Sequence, residues 1–554
     1  MVLLRRYKIP LVSAWFLATT YIYSAQRLLS LVLVLAKFPN LAKFPNLVKK
    51  IYLILSGQNK TDSKKRTIFG KIKAIQIQIR ARATGQMFTY FERSIVDREI
   101  FEYFLKKCTE PKASAQLISS TAGMAISLGE HEQALQLLSE LIVHYPMEVS
   151  PQQQIGVKAF ILGKYTLAEN IWTQCSQHRE QLIKHLGLDK YKVRFLAPSW
   201  FLAIGHIAHL DIYLKHKILS GREAEQTYFS LPAGMKIPNQ ELLKLWGKYI
   251  APATKELLRN FTQEELSLLQ DEFWSIEFED GRSKMFSHAG SIVQHRWIAE
   301  GRSPLVNIND LDRVRGESIL NELGIPKGSW YVCLHVREPG FHLKWHKSHP
   351  GTRNADVMTY LPAIREVIAR GGYVIRLGDS SMRPLPKEKG IVDYALSKAK
   401  SEFMDLFLCG TCQFFIGTNS GLGLVPPIFG VSCAMTNWSP VGLPQWYPSD
   451  TYIPKLIYST TLGRFMTFQE MLFSEAGWVQ FEKSLAEAGM HSVDNSPEEI
   501  KQLVNEMLES NGSKSISTIE LSAIAEIVKK TQSYEGAKIS NAFIRMHADI
   551  FALN

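Results

Sequence analysis

The sequence predicts an α/β protein: two successive blocks of parallel sheet flanked by helices, with a run of α-helical repeats before them. Three observations carry this. From Val193 onward short apolar stretches alternate with helical ones, the order that builds an open parallel sheet. The alternation resumes more clearly after Trp330, where "WYVCLHV", Tyr373–Leu377, "QFFIG" and "VSCAMTN" are continuous apolar runs, as expected of strands covered on both faces. Between 113 and 180 the frames "LGEHEQALQLL" and "LGKYTLAENIW" repeat, with Gly129 and Gly163, and Ala134 and Ala168, each 34 residues apart.

The 554 residues exceed what one core usually organises, so several domains are expected. A hydrophobic content of 46% and a charged content of 21% match ordinary globular usage and exclude both a disordered tail and a multi-span membrane protein. The net charge of +12 is concentrated: residues 1–66 hold twelve Lys and Arg against Asp62 alone, a net +11. A nucleic-acid reader normally carries its basic stripe on the folded body, so no nucleic-acid partner is expected.

The same N-terminal segment is apolar, with Leu11–Ala25 and Leu28–Ala36 separated by Gln26-Arg27. Each run is shorter than the roughly 20 residues that span a bilayer, although together with the interruption they would be long enough. A basic, interfacial or weakly inserted anchor on an anionic membrane face is therefore the leading reading, with a cytoplasmic body held peripherally or by its N-terminus on the inner membrane. A secretory signal would need a small-x-small cleavage site, which does not follow, and a helix buried against the body is the other alternative. The tandem "LAKFPNLAKFPN" carries no chemistry.

Segment 67–185 is expected to be helical. A 34-residue helix–turn–helix period with small residues at the close approaches resembles the tetratricopeptide repeat, and Tyr145-Pro146 closes the first unit. Two units are fewer than a solenoid needs alone, so they should lean on a neighbour and could offer a surface to a protein partner. Residues 190–325 then read as the first Rossmann-like domain, 326–490 as the second, and 491–554 as a helical tail. In the first, "VRFLAP" and "EQTYFSLP" are strands, a helix starts near Gly205-His206, and "NQELLKLWGKYI" is helical. In the second, Asp356–Arg370 and Phe403–Cys409 are helices, and "GLGLVPPIFG" is a helix broken at its prolines.

The six cysteines sit mostly in apolar runs, as buried thiols of a reducing compartment do. Cys409-Gly-Thr-Cys412 has metal-type spacing but no second pair, so buried thiols beside a strand are the better reading.

In an open parallel sheet, ligands bind beyond the carboxyl ends of the strands. The polar exceptions of the second block fall there: His335 and Arg337 after the first strand, Gly378 and Asp379 after the next, and Gly417, Thr418, Asn419, Ser420 and Gly421 after a third. A small-residue turn at a helix start suits an anion such as phosphate, and Arg337 adds a cation able to contact phosphate oxygens in pairs. Asp379 would repel a diphosphate, so it should meet the base or ribose. Singly, each feature is also an ordinary turn, ion pair or helix cap; their joint placement on three strand ends points to a nucleotide.

The stretches "CLHVRE", "RNAD…YLPAI…GGYVIRLGD" and "FFIGTNSGLGLVPPIFGV" resemble a bacterial glycosyltransferase group distantly similar to the His-x-Arg fucosyltransferases of GT-B architecture. The likeness covers about 190–460 and is strongest over 330–440. It implies that His335 and Arg337 engage the donor's diphosphate and ribose, that Asp379 contacts guanine, and that Ser420 contacts phosphate. It implies a GDP-sugar donor, GDP-fucose among the choices, a cell-surface glycan or other acceptor, and no bound metal or other cofactor. Glu338-Pro339-Gly340 departs from the pattern, which often continues with a second basic residue. The "GTNSGLGLVPPIFGV" turn also resembles that of ADP-heptose transferases, so the base stays open.

The reaction implied is displacement at the anomeric carbon, with Arg337 and the glycine-rich turn stabilising the diphosphate. Glu338, His346, His206 and Asp211 are candidates for the general base, the last two because "GHIAHLD" falls on a loop facing the cleft. His342, His346 and His349 could share a helical face and bind metal, but a solvated basic loop touching substrate is preferred. The rival class is a membrane-tethered repeat scaffold with an inactive Rossmann pair, which nucleoside diphosphate binding would exclude.

Overall fold

The structure is a computed structural model describing residues 98–110, 113–339, 351–443, 445–509 and 536–551. The expected membrane segment 1–66 and His342, His346 and His349 lie outside the described residues. Residues 1–107 and 108–554 form separate compact units. The first is described only from residue 98, along most of the helix α1 (Arg98–Cys108); both large parallel sheets belong to the second.

Four helices open the second unit: α2 (Ala115–Leu128), α3 (His131–His144), α4 (Val149–Ile161) and α5 (Tyr165–His185). They form two hairpins, with Gly129 and Gly163 at φ +81° and +72° ending α2 and the α4 turn, the left-handed positions where glycine stops a helix without strain. Ala134 and Ala168 are fully buried, which explains the small residue at both repeats. As expected for so few units, the hairpins lean on their neighbour. Thr173 Oγ1 accepts the Ser283 amide at 2.9 Å, Arg179 donates to the Gln270 carbonyl at 2.9 Å, and the Tyr165 and Trp478 rings lie 3.7 Å apart.

The first sheet contains β1 (Val193–Leu196), β2 (Gln226–Phe229), β3 (Ile250–Pro252) and β4 (Gln270–Asp271), all parallel, in the order β3-β2-β1-β4. A hairpin of β5 (Ser275–Glu277) and β6 (Ser283–Met285) comes next. Helices α6 (Ile204–Ala208) and α7 (Leu210–Leu219) leave β1, and α8 (Phe286–Ala299) packs on α7.

The second sheet contains β7 (Tyr331–His335), β8 (Tyr373–Arg376), β9 (Ile391–Val392), β10 (Phe415–Gly417), β11 (Cys433–Trp438) and β12 (Thr451–Pro454). A small antiparallel sheet of β13 (Leu456–Ser459), β14 (Arg464–Phe465) and β15 (Met490–Val493) is attached. The edge strand is β16 (Lys538–Ile539), giving the order β16-β12-β11-β10-β7-β8-β9 with every pair parallel. Counted from β7, the first six strands follow the doubly wound order 3-2-1-4-5-6, whose direction reverses between β7 and β10. Helix α9 (Leu361–Ala369) connects β7 to β8, and α10 (Glu402–Thr411) precedes β10. The strands are buried along both faces: all five residues of β7, three of β10 and six of β11.

Three expectations change. Segment 491–554 is no separate tail, because α11 (Pro497–Glu509) packs on α9 and β16 completes the sheet; a two-residue strand has no periodicity to read. "GLGLVPPIFG" forms two 3-10 turns, Leu422–Leu424 and Pro426–Phe429, since two prolines deny the backbone donors an α-helix requires. With no α-helix there, a helix dipole does not contribute. Finally, the two sheets share one core, from Leu196 and Trp200 through Val332 and Phe415 to Phe543.

Candidate functional site

The carboxyl edge of the second sheet is set by register. Gly417 pairs with His335 and Leu334 with Arg376, so three strands end level. Hydrogen bonds then extend the edge: the Thr418 amide donates to the His335 carbonyl at 3.2 Å, and the Leu377 amide to that of Leu334 at 2.8 Å. Buried Thr418 turns its hydroxyl to accept the Arg337 amide at 2.9 Å. One residue of β10's turn thus fixes both residues of the His-x-Arg pair.

His335 is 9% exposed, and its Nδ1 lies 3.1 Å from Ser420 Oγ. The same oxygen accepts the Gly423 amide at 3.2 Å. Burial, with Arg376 and Arg337 nearby, holds the His335 pKa down at about 4, against the opposing effect of Asp379, so the ring is neutral near pH 7. Where the Ser420 hydroxyl donates to Nδ1, Nε2 carries the proton and is a hydrogen-bond donor. Arg337 donates from Nε to Asn354 Oδ1 at 3.2 Å, and burial lowers its pKa.

Gly378 has φ +145°, and a Cβ there would meet Met382 Sδ at 2.0 Å, so the loop after β8 needs glycine to turn back. Asp379 Oδ1 then accepts the Ser381 amide at 2.7 Å. Asn419 donates to the Ser439 carbonyl at 2.9 Å. Gly421 approaches the first half: a Cβ on Gly205 would come within 2.8 Å of Gly421 Cα. The first sheet also reverses direction, between β1 and β4, and α6 leaves β1. Thus the reversal points of the two sheets meet through two glycines.

His206 sits beside that contact. Its Nδ1 lies 2.7 Å from the Ser199 carbonyl, which can only accept, so Nδ1 carries the proton and Nε2 keeps a lone pair. Burial lowers its pKa, against the raising effect of the carbonyl. Its ring stacks on Phe273 at 4.3 Å.

Asp211 is corrected as a cleft-facing base. It is fully buried, and one oxygen takes Lys215 at 2.8 Å, Gln294 at 2.7 Å and Tyr447 at 3.1 Å. The loop carrying Trp446 and Tyr447 crosses from the second half and covers it. Glu338 is also committed: its oxygens accept Arg376 Nη2 at 3.3 Å and the Arg383 amide at 2.8 Å, leaving it poorly placed to take a substrate proton.

Sequence reading missed Arg376, Glu272 and His209. Glu272 directly follows β4, and Ser199 donates to it at 3.4 Å. His209 is packed on Phe273, Phe286 and Trp446, and burial pushes its pKa well below the usual value. The signal available for Glu272 was its place after an apolar segment; His209 offered none. All six cysteines are free and buried. Among the described residues no three His, Cys, Asp or Glu side chains group as metal ligands, and no helix is long and apolar enough to cross a membrane.

These elements define a doubly wound α/β chain whose two reversal points touch. No protein-family model matches it, and no curated protein does either. Among solved structures it is similar to the iron-containing dodecameric glycosyltransferase TibC of enterotoxigenic E. coli H10407, at 10% identity over 58% of this chain and 76% of that one, with a TM-score of 0.30. It is also similar to the E. coli ADP-heptose LPS heptosyltransferase II (12% identity, 58% and 99% covered, TM-score 0.31). A third is the family 9 glycosyl transferase of Veillonella parvula DSM 2008 (10% identity, 44% and 79% covered, TM-score 0.28). None of these three is described as a fucosyltransferase. Similarity this loose transfers no residue role, and the chemistry of the site rests on this chain's own geometry.

Proposed function

We propose that the chain is a glycosyltransferase of GT-B architecture that binds a nucleoside diphosphate sugar along the carboxyl edge of β7, β8 and β10. The observation that carries the proposal is the meeting of two reversal points, with His335, Arg337 and Ser420 on one side and His206 on the other. In doubly wound sheets this crevice is where ligands bind.

Arg337 and a proton-bearing His335 Nε2 meet the diphosphate oxygens. Asp379, beyond the neighbouring strand, meets the base. A carboxylate complements the donor groups on the guanine edge, which favours a GDP-sugar, GDP-fucose included. An acceptor hydroxyl attacks the anomeric carbon as its bond to the diphosphate oxygen breaks, the electron pair leaving with that oxygen. The hydroxyl proton passes to His206 Nε2, the neutral imidazole with the appropriate tautomer. The charge developing on the leaving group is stabilised by groups already held in place.

Calorimetry with GDP, UDP, ADP and CMP tests this. The reading requires a nucleoside diphosphate to bind, GDP most tightly, and binding to be lost in Arg337→Ala. Tightest binding of ADP would transfer the donor to the ADP-heptose class. Binding of none would leave the scaffold.

A further inference from the structure

We propose that Arg376, acting through Glu338, is a positioning residue that joins the phosphate-facing end of β7 to the base-facing loop after β8, so that the two ends of a nucleoside diphosphate are bound as one unit. This rests on the donor site proposed above.

Arg376 ends β8 in the middle of an apolar run and is completely buried. Its guanidinium reaches three segments: Nη1 donates to Asp393 Oδ1 at 2.9 Å, and Nη2 to Glu338 Oε1 at 3.3 Å and to the Arg383 carbonyl at 2.9 Å. Its partners extend the tie. Glu338 Oε2 accepts the Arg383 amide at 2.8 Å, and Asp393 Oδ2 accepts the Leu385 amide at 2.9 Å. Glu338, the residue after Arg337, and Arg376 therefore grip the loop that begins at Gly378-Asp379 together, Glu338 at the Arg383 amide and Arg376 at its carbonyl. Moving Arg337 drags Glu338; moving Glu338 pulls on the loop that holds Asp379. A planar fork with fixed donors can hold three acceptors at once, whereas an ammonium cannot reproduce that geometry. Arg376 also faces His335 closely enough to help hold its pKa at about 4, after burial.

Glu338→Gln removes the charge while keeping the shape. Arg376→Lys retains the charge and guards against misfolding from two unpaired, half-buried carboxylates. Each should weaken nucleoside diphosphate binding about tenfold, a coupling of the size seen between linked groups. At saturating donor, kcat and its pH profile should stay within about twofold of the parent. In the parent, Asp379→Ala and Arg337→Lys should lose affinity non-additively; in Glu338→Gln the losses should add. Hydrogen exchange at the Arg383 and Leu385 amides should accelerate in both variants. Unchanged exchange and unchanged affinity would overturn the proposal. So would a hundredfold fall in saturated kcat with loss of a pH limb, which would make Glu338 the base. If the parent binds no nucleoside diphosphate, the functional reading fails separately, and the exchange rates alone decide whether the tie exists.

Discussion

The two parallel sheets reverse direction in the same way but equip their reversal points differently. At the first, Asp271 ends β4 and is bound by its surroundings: Arg179 stands 3.2 Å away and the Tyr213 hydroxyl donates at 2.8 Å. At the second, the Gly417–Gly421 turn and His335 present a neutral imidazole held by a serine. One edge commits its charges to holding the helical hairpins on the sheet; the other ends in a small-residue turn whose Ser420 holds His335. The same topology therefore gives a charged joint in one half and, on the function proposed above, the donor edge in the other, with His206 the first sheet's proposed contribution to chemistry.

The largest test of that contrast is His206→Ala, which should lower turnover about a hundred- to ten-thousand-fold as general bases do while Kd for the nucleotide holds. A neutral base with a lowered pKa loses activity only when protonated. The acid limb of kcat/KM should therefore fall below the ordinary imidazole range, and a limb above it would reject His206. Asp271→Ala should do the reverse, costing about 1–3 kcal/mol of stability by leaving the Tyr213 hydroxyl without its acceptor and Arg179 without one of its carboxylates, as read in denaturant melts. Burial raises the Asp271 pKa, but Arg179, Arg194 and Arg222 with the Tyr213 hydroxyl overcome it and leave it lowered. Its contribution is thus present above the ordinary aspartate pKa and lost as pH falls through the folded value.

Arg337→Ala should cost about 2.7–4 kcal/mol in the transition state, roughly a hundred- to a thousand-fold in turnover. Arg337→Lys should fall between that variant and the parent, with melting little changed in either. An alanine variant that melts far below the parent yet turns over normally would make Arg337 a part of the joint. The smallest effect is expected at Asp379→Ala: about tenfold weaker nucleoside diphosphate binding by calorimetry, with inorganic pyrophosphate unaffected. Equal losses for both ligands would give Asp379 a structural role.

Strand ends were legible because polar residues interrupt apolar runs there: His335 and Arg337 after "YVCL", Asp379 after "VIRLG", Ser420 after "FFIGTN". Arg376 was hidden by the same logic. It lies inside an apolar run, and its partners Glu338 and Asp393 are distant in sequence, so nothing local reports that it is buried and paired. Asp211 was misplaced because two of its partners, Gln294 and Tyr447, lie 83 and 236 residues along the chain, beyond anything a local pattern reports. The turn after β10 kept its position but not its helix, since propensity alone does not show how two adjacent prolines divide it.

The Gly205–Gly421 contact sets how closely the two sheet edges approach. Backbone meets backbone there, with Ile204 and Leu424 side chains closing on either side: a Cβ on Gly421 would lie 3.2 Å from Ile204 Cγ2, and one on Gly205 3.3 Å from Leu424 Cδ1. Sliding one sheet across the other would drive those branched side chains into the opposing chain, and a side chain at either glycine would push the two edges apart. With the core shared between the sheets, the spacing of the two edges is set by the absence of two Cβ atoms.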